Sequence, residues 1–172
     1  MSNGRRSKAG ATEGDEAQAS ASPLDELYSR PGFLLRRAHQ IAVALFLEET
    51  GDWKVTTSQY GALFVLANVE GLDIIGLGRR LGMDRSTSAL VVSKLQAAGW
   101  VAMATNPADR RRKALTLTPA GRAMLDDLAD PAREARERLL SPFTPEEAET
   151  FLRLLERFVA AFNGSIRTPI AP

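Results

Sequence analysis

The feature that most constrains this chain is a pair of capped helical segments separated by three residues. Asp73 precedes the helical run Ile74–Leu81, which Gly82 stops. Asp84 precedes a second run, 85–98, which Gly99 stops. An Asp placed just before a helix accepts a hydrogen bond from a backbone N–H the helix leaves unpaired. Gly tolerates the left-handed conformation that ends a helix. A link as short as Gly82-Met83-Asp84 forces the two helices to turn sharply and pack on each other, which is a helix-turn-helix.

After Gly99 the pattern changes. Trp100-Val101-Ala102-Met103-Ala104 reads as a strand, residues 106–113 as a polar turn, and Leu115-Thr116-Leu117-Thr118 alternates with period two. The segment is a predicted hairpin with Arg110, Arg111, Arg112 and Lys113 at its tip. The fold expected is mainly α: a winged helix-turn-helix with a two-stranded wing, flanked by N- and C-terminal dimerisation helices.

The flanks follow from caps and periodicity. Thr56-x-x-Gln59 is a capping box that opens a helix through Val69, closed by Gly71. Leu63, Phe64, Leu66 and Ala67 form its expected inward face. An earlier helix starts near Pro31 and runs to about Glu49. Its stretch 41–47 is apolar on every side, which predicts burial on more than one face and a partner subunit. Thr118-Pro119 caps a helix to about Leu140, with a kink expected at Pro131. Thr144-Pro145-Glu146-Glu147 opens the last helix. Ala148, Phe151, Leu152, Leu155, Phe158, Val159 and Phe162 form a stripe expected to be buried. The chain thus divides into a disordered tail (1–22), a dimerisation helix region (23–51), the winged helix-turn-helix (52–118) and dimerisation helices (119–172).

Composition removes whole classes of function. The 172 residues include no cysteine and one histidine, His39. That excludes a disulfide scaffold, a Cys nucleophile, a thiolate zinc site and any centre needing two histidines. No Gly-rich phosphate loop follows a strand and no nucleophile neighbours a base, so neither an enzyme nor a cofactor site is expected. No early apolar stretch can serve as a signal peptide, and the longest apolar run, 41–47, is far below the roughly 18 residues of a membrane helix. A cytoplasmic location is expected. Residues 52–118 carry net +4, whereas 1–51 carry −1 and 119–172 carry −2. A basic middle is the charge arrangement of a nucleic-acid module.

A helix fits the DNA major groove and its first residues reach base edges. Here those residues are Arg85, Ser86, Thr87 and Ser88, with Lys94 further along. Thr57 and Ser58, at the start of the helix that Thr56 opens, complete the contacts expected from helices. The tip residues Asp109, Arg110, Arg111, Arg112 and Lys113 are placed to meet phosphates or an adjacent minor groove.

The stretches DRSTSALVVSKLQAAGWV and NPADRRRKALTLTPAG resemble the recognition helix and wing of the MarR family of winged-helix transcriptional regulators. The resemblance spans about residues 30–162. It implies an obligate homodimer built on the first and last two helices, a palindromic operator of double-stranded DNA, and in many members release by a small effector. It also implies that Asp109 locks the wing by pairing with Arg111 or a neighbour while a tip arginine enters the minor groove. Repression follows from the resemblance and from steric exclusion of polymerase. The alternative is an architectural DNA-binding protein without effector. Many members carry a basic residue where this chain has Leu90, which here either packs inward or touches a thymine methyl.

The segment PGFLLRRAHQIAVALFLEETG is similar to regulators of catabolic genes for aromatic or N-heterocyclic acids and their CoA thioesters. On that reading Arg36 or Arg37 holds a carboxylate, His39 adds a hydrogen bond, and Phe46, Trp53 and Tyr60 form an apolar wall. Each has an ordinary alternative: a core or interface histidine, salt-bridging arginines, and aromatic core packing.

Overall fold

The structure, a computed structural model, describes residues 22–105 and 113–171. It divides into two compact units, Met1–Arg37 and Ala38–Pro172.

In the first unit, helix α1 (Pro23–Ser29) opens with a capping box. The hydroxyl of Ser22 accepts from the α1 backbone, and the Asp25 carboxylate accepts from the Ser22 N–H at 3.0 Å. Ser22 therefore belongs to a helix start; the rest of the expected disordered tail, residues 1–21, lies outside the described residues. Helix α2 (Pro31–Glu49) begins in this unit, where the Arg36 guanidinium sits 4.8 Å from the centroid of the Phe33 ring.

The second unit is built round three helices and a hairpin. Helices α3 (Thr57–Asn68), α4 (Ile74–Leu81) and α5 (Arg85–Ala97) match their sequence signals to within a residue or two. Thr56 and Gln59 form the expected capping box, and Asp73 and Asp84 accept from the N–H groups of Gly76 and Thr87 at 2.7 and 2.8 Å. Gly82 closes α4 with φ 63°, the left-handed conformation that suits glycine. Strands β1 (Val101–Thr105) and β2 (Lys113–Leu117) pair antiparallel, with Val101 opposite Leu117 and Thr105 opposite Lys113. Alternate residues of the hairpin face the core, so Val101 and Leu115 join Leu63, Leu66, Leu77, Val92 and Leu95 in one apolar cluster. The Leu115 N–H donates to the Leu72 carbonyl at 2.7 Å, which ties the wing to the segment leading into α4.

Two expectations are corrected here, the inward Phe64 and the kink at Pro131. Phe64 is 54% exposed rather than inward, because the core side of α3 is taken by Ala62, Leu63 and Leu66. The helix expected to kink at Pro131 is two helices, α6 (Pro119–Asp127) and α7 (Ala129–Leu140), and the break falls earlier, at Leu128. Leu128 is fully buried, while Pro131 sits in the first turn of α7, where its missing N–H would have had no partner. The last helix, α8 (Pro145–Phe162), buries none of its stripe within the chain: Phe158, Val159 and Phe162 are 46%, 47% and 53% exposed. The all-round apolar stretch of α2 likewise buries only Phe46, leaving Ile41 and Leu47 on the surface.

Candidate nucleic-acid interface and effector cleft

The first turn of α5 is shaped by one carboxylate. Asp84 Oδ1 accepts from the Thr87 N–H at 2.8 Å and from the Ser86 hydroxyl at 2.7 Å. These hydrogen bonds, the backbone one foremost, favour the ionised form and hold the Asp84 carboxyl down at about 2. The cap fixes the helix start, and Arg85, Ser86 and Thr87 then stand exposed on it, with Lys94 exposed further along. Ser88 does not join them. It is 1% exposed, its hydroxyl donates to the Asp84 carbonyl at 2.7 Å, and it packs against Gly78. A base contact from Ser88 is therefore excluded: the side chain fills the joint between α4 and α5. Leu90, 58% exposed, does not pack inward.

Lys113 is exposed at the start of β2. Asp109, Arg110, Arg111 and Arg112 lie outside the described residues. Ser58 is exposed on the first turn of α3. Thr57 also faces out, but it lines a cleft rather than standing alone.

That cleft lies among α2, the start of α3 and α7. One part, of about 300 Å³, is lined by His39, Val43, Phe46, Thr57 and Arg136 among others. An adjoining part, of about 420 Å³, shares Phe46, Thr57 and Arg136 and adds Tyr60 and Arg133. The Phe46 and Tyr60 rings stand 5.5 Å apart at 50°, a tilted pair that makes one apolar wall. His39 is exposed, so it is no core histidine. Trp53 is half-buried in a 3-10 turn, Gly51–Trp53, and is not among the residues lining either part. Arg36 and Arg37 belong to the first unit.

The cations the cleft does contain, Arg133 and Arg136, were missed by sequence reasoning. They sit in a charge-rich helix some ninety residues after His39, and only their spacing of three, one helical turn, marks a shared face. Arg133 pairs with Asp130 at 2.9 Å. On the same helix Arg138 bonds both Glu48, at 3.2 Å, and Glu49, which raises its pKa and fastens α7 to the end of α2. The buried Thr50 hydroxyl donates to the Phe46 carbonyl at 2.7 Å. Among the described residues no cluster of His, Cys, Asp and Glu is arranged to hold a metal, and no helix is long and apolar enough to cross a membrane.

Two capped helices at a Gly turn, an exposed polar first turn on the second and an antiparallel wing define a winged helix-turn-helix protein. Residues 53–112 match the model of the MarR family. The chain is 33% identical to a putative transcriptional regulatory protein for the hcr operon of Thauera aromatica, over 73% of this chain and 76% of that one. It is 28% identical to the HTH-type transcriptional repressor NicR of Pseudomonas putida, over 81% and 91%. Among solved structures it resembles Bordetella bronchiseptica BpsR, whose DNA binding is regulated by 6-hydroxynicotinic acid, at 30% identity and a TM-score of 0.71, over 76% of this chain and 94% of that one. This chain belongs to the MarR family.

Proposed function

We propose that the chain is a homodimeric, sequence-specific repressor that binds a palindromic operator and is released by a small aromatic or heterocyclic acid or its thioester. The observation that carries the DNA reading is the first turn of α5. Its inner side is locked to α4 through Ser88, while Arg85, Ser86 and Thr87 stand exposed, as a helix entering a major groove requires. A second copy of the chain supplies the cover that the α8 stripe lacks.

The cleft supports the effector reading. Such sites are mostly apolar with a few polar anchors, and this one joins Phe46 and Tyr60 to Arg136 and His39. A guanidinium can hold a carboxylate by two parallel hydrogen bonds. We assign that role to Arg136 in place of Arg36 or Arg37, with His39 as a second polar contact. The likeness to BpsR supports an acid on a six-membered aromatic ring. The cleft lies between the α2 and α7 helices and the foot of α3, so a ligand there biases the spacing of the two recognition helices in the dimer, which has to match half-sites about one helical turn, roughly 34 Å, apart.

The test is fluorescence anisotropy on the DNA upstream of the protein's own gene, against a mixed-sequence duplex, with and without benzoate, nicotinate, their hydroxylated forms and a CoA thioester. The expected result is preferential binding to the upstream DNA and release by at least one acid. Arg136→Gln should bind DNA as the parent does and need about tenfold more acid, the loss of one charge-assisted anchor of about 1.4 kcal/mol. An acid that releases parent and variant at equal concentration removes Arg136 from the site. Tight binding that no acid relieves points to the effector-independent architectural protein.

A further inference from the structure

Past α8 the chain turns back on itself. A 3-10 turn, Asn163–Ser165, reverses it, and the Asn163 side chain clamps Ile170 by both backbone groups. Its Nδ2 donates to the Ile170 carbonyl at 2.9 Å and its Oδ1 accepts from the Ile170 N–H at 2.8 Å. One residue later the Ala171 N–H donates to the Arg79 carbonyl at 2.9 Å. That carbonyl is in the last turn of α4, among those a helix leaves without an internal partner. Ile170 lies over the turn of the helix-turn-helix: a Cβ on Gly82 would stand 3.3 Å from Ile170 Cγ1 and 3.4 Å from the Thr168 carbonyl oxygen. The segment is a strap fastened to the DNA-reading motif, not a loose end.

The anchors are Asn163, Ile170 and Ala171. Arg167 is exposed between them and shares a concavity of about 430 Å³ with Asp84, Arg85, Ser86 and Ala89 of the α5 start. Its charge helps keep Asp84 ionised. The concavity thus presents two guanidinium groups and one carboxylate already engaged with Ser86 and Thr87. With the first turn of α5 in a major groove, a cation beside that turn is close to the sugar-phosphate backbone that borders the groove.

We propose that the strap is part of the DNA-contacting face and that Arg167 binds a backbone phosphate beside the first turn of α5. This rests on the reading of α5 as the recognition helix. A cation on an anchored strap has already lost much of its chain entropy, so its contact is cheaper to form than one from a free tail. Phosphate contacts set register on the duplex and carry no base preference. The strap therefore adds affinity and orientation, and leaves sequence choice to α5.

The experiment is binding to a fluorescently labelled mixed-sequence duplex over a series of salt concentrations, for the full chain and point variants. Each phosphate contact contributes about 0.9 to the slope of log K against log salt. Arg167→Gln should reduce the magnitude of that slope by about one unit per subunit, and Arg167→Lys should restore it. Asn163→Ala, which frees Ile170 without changing any charge, should weaken binding in the same direction. The Arg167→Gln difference should persist in an Asp84→Asn background; its disappearance there would mean that Arg167 only offsets Asp84, and would overturn the proposal. So would an Arg167→Gln variant with the parent's slope and affinity. A parent chain that binds no duplex would remove the DNA-binding reading itself, and this inference with it.

Discussion

Asp84 shows how one residue joins stability to function. Its carboxylate caps α5 and positions the Ser86 hydroxyl, and these hydrogen bonds lower its pKa from 3.8 to about 2. A carboxyl with a depressed folded-state pKa stabilises the native state above its unfolded pKa, and that contribution is lost as pH falls through the folded one. Denaturation of the parent and of Asp84→Asn should therefore differ at neutral pH and converge between about pH 4 and pH 2, where the parent's carboxylate protonates. A constant gap across that window would show that ionised Asp84 contributes nothing beyond what a neutral cap does. At this scale the sequence was partly legible. Asp84, Asp73 and Thr56 announce themselves because a cap acts within three residues of its own position. Ser88 was misread because a hydroxyl on a helix's first turn looks the same whether it faces solvent or a glycine on the preceding helix. Arg136 was missed for the opposite reason: its partners His39 and Phe46 are about ninety residues away in the chain.

The elements are held in place by close approaches that allow no side chain. Gly78 on α4 faces Ser88 on α5, and a Cβ there would overlap the Ser88 hydroxyl and press on the Met83 carbonyl at 3.0 Å. Gly78→Ala should therefore splay the two helices of the motif, at a cost of about 1–3 kcal/mol, the range for overpacking a tight core. Thermal unfolding would record a lower Tm, and Gly78→Ala with Ser88→Ala should recover part of the loss. An unchanged Tm in the single variant would mean that the joint has slack. Gly121 plays the same part for α6, whose start approaches the Trp100 carbonyl while Thr118 both caps the helix and donates to the Gly99 carbonyl at 2.7 Å. Helices α3, α4 and α5 and both strands were readable from caps, glycines and alternation. The break at Leu128 was not, because no local signal marks it. Pro131 attracted the expectation, but a proline in a first turn breaks nothing, and the break falls at Leu128, whose side chain is fully buried.

For the whole molecule the deciding fact is the imbalance between its buried and bare apolar surfaces. The winged helix-turn-helix closes its own core, with Leu63, Leu77, Leu95 and Leu115 almost wholly buried. Helix α8 repeats apolar residues at helical spacing and fully buries none of them, and the Phe158 and Phe162 rings form a tilted pair in the open, 5.1 Å between centroids. A contiguous apolar stripe left bare on one helix marks an interaction surface, whereas single scattered apolar residues do not. The sequence carried the stripe in plain view, yet on the proposed homodimer the surface that covers it is on another molecule, which no one-chain pattern can locate. Phe158→Glu tests this directly. Phe158 is 46% exposed in the single chain, so a glutamate there can keep its charge in water and leave the subunit folded. In a dimer seated on α8 the same charge is desolvated without a partner, at a cost that association does not offset. Residues 119–172 already carry net −2, so each substituted subunit adds repulsion of the same sign. Light scattering should then give a monomer with the parent's helical circular dichroism. Operator affinity should fall steeply, because each subunit now holds a single half-site without the other. A folded dimer carrying glutamate at 158 would place the subunit interface elsewhere than on α8.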